Sequence, residues 1–271
     1  MNAWLATRLS AGLFWSAVAL ILGYMTIPAL VVLMTSVSPS ELLEFPPSGF
    51  SLRWYERALT YPDFQGAFVN GLIVTAFASS LSLLIGSAFA YLVERYTFGG
   101  RVALEAILAS PLIVPHFTTG FGFLLLGANL RIGQSYAVVV ATHVLLTLPF
   151  VTRSVYVSLR NLDPALERAA TNLGASPLQV LRRVTLPLLL PGMAGGWLVA
   201  AMLSLTEFTA SLYVTAQRTQ TLPVAMYTYV REYTDPTIAA ISALLITFTT
   251  ILMLIANRYL GLRRILAIDA H

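Results

Sequence analysis

The sequence is notable first for what is missing. It has no cysteine, which removes disulfides, zinc fingers and thiol catalysis from consideration and leaves the redox compartment open. It has no lysine either: all 16 basic residues are arginines. A phosphate-binding loop of the Walker type requires its lysine, so the chain is not itself an ATPase. The three histidines, His116, His143 and His271, form no close-spaced metal pair, and a metalloenzyme is not expected. Charged residues make up only 10% of the chain, against about 25% in soluble domains. What remains is apolar: 57% of the residues are hydrophobic and the mean hydropathy is +0.77. The composition describes a polytopic membrane protein.

Long apolar runs predict an all-α protein with six transmembrane helices, at about 13–37, 68–93, 106–128, 135–156, 192–214 and 238–260. The first run follows Arg8, is longer than a signal-peptide core and lacks a small-residue cleavage site, so it is expected to remain as a span. Arginines set the orientation. With the N-terminus inside, 11 of the 16 (Arg8, Arg95, Arg101, Arg153, Arg160, Arg168, Arg182, Arg183, Arg258, Arg263, Arg264) fall on inner segments, and Arg53, Arg57, Arg131, Arg218 and Arg231 fall outside. Positive-inside bias then predicts cytoplasmic N- and C-termini. The same bias explains the pI near 9.5, and a nucleic-acid partner is not expected because the arginines do not cluster on a polar domain.

One polar stretch, 159–190, is long enough to receive another protein. Asp163 followed by Pro164 is a helix start. Leu162, Leu166, Ala169 and Leu173 fall on one face of that helix, and Glu167, Ala170 and Gly174 on another. The second face carries one carboxylate and little bulk, which suits close approach of a partner and pairing of Glu167 with a partner's arginine. Gly174 suits a left-handed C-cap. Ser176 and Pro177 repeat the start signal, opening a second helix that Pro187 is expected to interrupt.

Glu167, Ala169, Ala170, Gly174 and the closing Leu186-Pro187 resemble the E-A-A...G...L-P cytoplasmic loop of type I ABC importer permeases. Arg168, where an alanine is common, is a departure that adds charge. The resemblance implies a single permease domain over 1–271 whose loop is a coupling helix, with Glu167, Ala169, Ala170, Gly174, Ser176 and Pro177 docking on an ATP-binding subunit. It implies no cofactor in this chain, with ATP and magnesium bound by that ATPase, two copies of which would serve the complex. It further implies a second related permease, or a copy of the same chain, an extracytoplasmic solute-binding protein, surrounding lipid and a place in the bacterial inner membrane. The strings FSLRWYERAL, with Asn70 after it, and TLPV and DPTIAAISALL resemble the spermidine/putrescine-type branch.

The aromatics of the first outer loop, Trp54 and Tyr55, are expected at the headgroup level, and Tyr227, Tyr229 and Tyr233 lie in a later outer loop, at the interface or against a delivery protein. For the solute path the sequence offers Glu207, the one acid deep inside a predicted span. Thr206, Thr209 and Tyr213 add hydroxyls on roughly one helical side. His116, after Pro115, is a gating candidate or a histidine bonded to a carbonyl freed by the proline; Asn70 joins the pathway candidates or else ties helices together. A carboxylate on the path favours a cation. Permeases for anions carry an acid in a similar S-L-x-E-F context, so polyamine is the preferred solute while phosphonate, ferric ion and oxyanions stay open. An ion-gradient-driven transporter would require inverted repeats and several midplane carboxylates, and a membrane-embedded enzyme a nucleophile–base constellation; neither is visible.

Overall fold

The computed structural model describes residues 2–260. Arg263, Arg264 and His271, used above, lie outside the described residues. Among the described residues every regular element is helical: α1 Asn2–Thr35, α2 Arg53–Thr60, α3 Pro62–Arg95, α4 Arg101–Ala109 with a 3-10 turn Ser110–Leu112, α5 His116–Asn129, α6 Tyr136–Arg160, α7 Pro164–Asn172, α8 Pro177–Val180, a π-turn Leu181–Thr185, α9 Leu186–Leu205, α10 Ser211–Val214, α11 Leu222–Glu232 and α12 Thr237–Leu260. Five of the helices are long and apolar enough to cross a membrane. The stretch expected as the third span is a pair, Arg101–Leu112 and His116–Asn129, bent by 101°. Pro115 explains the break: it cannot donate to a preceding carbonyl, and it holds the residue before it away from helical geometry.

The stretch expected as the fifth span differs more. Its helix begins far earlier, at Pro177, and stops at Leu205, so 206–210 is not helical. Pro187 does not interrupt it. The π-turn just before takes the Leu186 N–H back five residues to Leu181 O, and this wider turn accommodates the ring that an α-turn would reject.

Contacts divide the chain into two compact units, Met1–Tyr61 with Thr228–Phe248 and Pro62–Tyr227 with Thr249–His271. In the first, the loop before α2 is built on Trp54, which is buried and donates its indole N–H to Ser38 O at 2.8 Å. The Arg53 guanidinium lies 4.3 Å from its ring centroid, and the Tyr55 hydroxyl meets Ser36 Oγ at 2.7 Å. These aromatics are therefore structural members of the loop. Asp235 accepts the Tyr229 hydroxyl at 3.0 Å and pairs with Arg57 at 3.2 Å. Burial raises the Tyr229 phenol above its ordinary pKa, which keeps it a donor.

The second unit is a bundle of α3, α6 and α9. Between lipid-facing helices there is no hydrophobic drive to associate, so close packing of small residues and interhelical hydrogen bonds hold them. Along α3 the buried stripe is Gly71, Thr75, Ala78, Ser79, Ser82, Gly86 and Ala90. A Cβ added to Gly192 would lie 1.8 Å from Ser158 Oγ, so α6 and α9 meet nearly backbone to backbone there. Ser82 Oγ and Thr147 Oγ1 lie 2.7 Å apart, and Ser154 donates to Gly192 O at 2.9 Å. Ala90, Val151, Val155, Leu159, Leu189 and Ala200 form the apolar centre near the Arg95 end of α3.

Candidate functional site

Two places in the second unit bring sequence candidates together, one at each side of the bundle centre. The first is α7 and the turn after it. Asp163 Oδ1 accepts the Ala165 N–H at 2.8 Å, fixing the helix start. At the other end Gly174 has φ +87°. Its N–H reaches Thr171 O and the Ala175 N–H reaches Ala170 O, the paired bonds of a Schellman cap. Ser176 N–H donates to Gln179 Oε1 at 2.8 Å, opening α8. Helix, turn, helix thus follows from local signals.

The side of α7 that carries Glu167 turns toward its own bundle. Glu167 points into its own chain: Oε2 lies 2.9 Å from Arg95 Nη2 at the end of α3, and Oε1 accepts the hydroxyl of buried Thr185, in the π-turn, at 2.7 Å. Both side chains of the Arg95–Glu167 pair are only 19% exposed. Ala170 shares that half-buried side. The leucine side is bare instead, with Leu166, Ala169 and Leu178 exposed and Leu173 89% exposed. Burying Glu167 without a counter-ion in a low dielectric would be costly, and Arg95 with Thr185 relieves that. Gly174 contributes backbone geometry and no packed small face, since a Cβ there meets nothing in this chain. Sequence reasoning missed Arg95 and Thr185, and no local signal joins either to Glu167.

The second place is where two interrupted helices meet. Glu207 lies beyond the end of α9, in the turn before α10. Its Oε2 is 2.9 Å from Nδ1 of His116, the first residue of α5, and its Oε1 accepts the Ala210 N–H at 2.7 Å. His116 therefore bonds a carboxylate, not a carbonyl freed by Pro115. Gly120 permits the approach, because a Cβ there would lie 2.6 Å from Ala210 O. Behind the turn, fully buried His143 bridges the gap: Nδ1 meets Ser204 Oγ on α9 at 2.8 Å and Nε2 meets Ser211 Oγ on α10 at 2.9 Å. Thr75 of α3 donates to Ser204 at 3.3 Å. A cavity of about 190 Å³ opens beside the pair, lined by Leu112, Leu146, Phe150, Leu203, His143 and Glu207 among others.

The remaining path candidates are dispersed. Because 206–210 is not helical, Thr206, Thr209 and Tyr213 do not share a helical side. Thr206 donates to Met202 O, Thr209 is exposed in the turn, and the Tyr213 ring packs edge-on against Phe121. Asn70 belongs to a separate clamp at the start of α3. Its amide donates to Arg218 O and Gln220 O, and its oxygen accepts the Tyr136 hydroxyl. Gln134 holds the same segment through Tyr213 O and Thr215 O. Among the described residues no cluster of three metal-ligating side chains occurs.

Comparison with known proteins places this geometry. The curated relatives include the spermidine/putrescine transport system permease protein PotC of Escherichia coli K12, 28% identical over 94% of both chains. The putrescine permease PotI of the same organism is 30% identical over 86% of this chain and 85% of its own. Its molybdenum permease ModB is 33% identical over a shorter 64% of this chain and 82% of its own. Among solved structures, a bacterial ABC transporter that imports the acidic polysaccharide alginate superposes with a TM-score of 0.71 at 17% identity, covering 94% of this chain and 97% of that one. The MetNI methionine ABC transporter superposes with a TM-score of 0.61 at 18% identity, covering 73% and 94%. The model of the family described as "binding-protein-dependent transport system inner membrane component" matches residues 82–264, from the middle of α3 onward, taking in both sites. The chain belongs to that family: it is an inner-membrane permease subunit of an ABC importer, a transport component whose ATPase is a separate subunit.

Proposed function

We propose that this permease carries a polyamine-like cation, paired with a second, related permease subunit around a central path. An ATPase subunit, two per complex and holding ATP and magnesium, would sit on each permease's loop, and a solute-binding protein would deliver at the opposite end. The arginine distribution supports cytoplasmic termini, which puts α7 on the ATP side. In this reading the bare side of α7, with Leu166, Ala169 and Leu173, enters the ATPase cleft beside Ser176 and Pro177, while Glu167 ties the helix to α3 and to the π-turn that leads into α9. Ala170 and Gly174 shape the helix and its end. Movement of α7 then pulls on two bundle helices through one carboxylate, and the breaks at 113–115 and 206–210 are where the spans can change angle.

The observation that carries the cation assignment is Glu207, the only acid lining a cavity that no arginine lines. Relatives named for spermidine and putrescine support it over nearly the whole length. The shorter molybdenum relative favours an oxyanion, but an oxyanion would meet a carboxylate there with His116 as the one balancing group. Reconstitution of the assembled transporter decides between them. Labelled putrescine should accumulate with ATP and loaded binding protein, and Glu207→Gln should lower that uptake about 100-fold, a loss of about 2.7 kcal/mol in the transport step. Molybdate uptake with no putrescine uptake would transfer the chain to the oxyanion reading.

A further inference from the structure

The carboxylate of Glu207 is already occupied, and its two neighbours are held very differently. The turn carrying Glu207 is fixed by the His143 bridge, by the Ala210 N–H on Oε1 and by the Gly120–Ala210 contact. The Glu207 side chain is 11% exposed. His116 is 49% exposed, starts a helix immediately after a break, and makes its polar contact with Glu207 Oε2. The fixed member is the acid, and the member free to swing is the imidazole.

The cavity beside them has the complementary shape of one ligand chemistry. Leu112, Leu146, Phe150 and Leu203 give it an apolar side, His116, His143, Thr147 and Ser204 a polar one, and Glu207 is its one acid, with no arginine in the lining. A pocket with one apolar side, a single carboxylate and no fixed cation suits a protonated primary amine on an unbranched alkyl stem. The methylenes lie against the leucines and the phenylalanine, at about 0.8 kcal/mol for each one buried, and the ammonium lies on the carboxylate. We propose that His116 is a stand-in for such a ligand: a primary alkylammonium enters this cavity, takes Glu207 Oε2, and the imidazole swings away with the head of α5. One charge-assisted hydrogen bond replaces another, so Glu207 is never left buried without a donor. The displaced residue heads the helix that bends 101° from its predecessor, so occupancy of the cavity is felt by α5. The inference rests on the importer reading for the route of the amine, though the site itself is defined by the side chains alone.

The absence of native cysteine permits a direct test. Leu112→Cys, placed in the assembled transporter in nanodiscs, reports on the cavity through its rate of maleimide labelling, read from the mass of this chain. n-Butylamine should slow labelling several-fold, and n-butanol, equal in length but uncharged, should not. Glu207→Gln should abolish the protection. His116→Ala should lower the half-protecting butylamine concentration about tenfold, the factor for removing an occupant that holds the site ~90% of the time. Equal protection by butanol, protection that survives Glu207→Gln, or a midpoint unmoved by His116→Ala would each overturn the proposal. Leu203→Cys on the facing wall gives the same readout if Leu112→Cys does not assemble. Putrescine uptake measured on the same preparation separates the two readings: uptake without butylamine protection removes the stand-in and leaves the importer's solute, while protection without amine uptake keeps the site and removes the solute.

Discussion

Glu167 and Glu207 are both carboxylates drawn into the bundle and matched by a basic side chain 2.9 Å away on another helix, yet the two pairs are built for different purposes. Glu167 faces arginine, which holds its charge at every physiological pH and is half-hidden with its partner; a buried threonine takes the second oxygen. Glu207 faces a half-exposed histidine, whose ring forms its hydrogen bond in either charge state and can leave. A permanent counter-ion makes a joint that transmits force, and a dismissible one makes a place that can be vacated. The same kind of acid therefore acts as a tie at the loop and as a receptor at the helix breaks, and the side chain opposite decides which.

Exchanging the cations is the strongest way to break that contrast. His116→Arg should convert the vacatable place into a joint. A bidentate arginine on Glu207 holds it tighter by about 3 kcal/mol, so amine uptake should fall about 100-fold while the ATPase still co-purifies. Retained uptake would mean that Glu207 need not be vacated. Next in size is Leu173→Asp, which removes an exposed apolar contact worth about 2 kcal/mol to a docked partner and should weaken ATPase capture about 30-fold on titration. If capture is unchanged, the bare leucine side is not the docked one. Arg95→His makes the joint dismissible and should reduce the uptake supported per ATP hydrolysed about tenfold, whereas normal coupling would show that α7 moves the bundle by another route. The smallest effect belongs to Gly174→Ala. A side chain at φ +87° costs about 1 kcal/mol and should weaken ATPase binding about fivefold without altering solute preference.

How far each place could be read from the chain follows from what fixes it. The loop was legible because its devices are local: Asp163, Gly174 and Ser176 with Gln179 each act within a few residues, and the structure uses them as caps. Which side of α7 turns inward was not legible, since Arg95 on a distant helix decides it. Hydropathy carried the expected fifth span straight past Leu205, because an apolar run reports affinity for lipid and says nothing of where a helix stops. That stop is maintained by His143 reaching across from α6. The density of hydrogen-bonding residues in Thr206, Glu207, Thr209 and Ser211 was the available signal for a break. Pro187 shows the opposite error: a breaker residue was overruled by a π-turn that no composition rule anticipates.

The bridge behind the break also has a sense of direction. His143 holds Ser204 with one ring nitrogen and Ser211 with the other, and a neutral imidazole donates through one nitrogen and accepts through the other, so one serine gives a hydrogen to the ring while the other takes one. A change of tautomer therefore exchanges the roles of the two serines at once. One ring on α6 thus couples a hydroxyl on α9 to a hydroxyl on α10, and a proton shift on that ring is felt on both sides of the helix break.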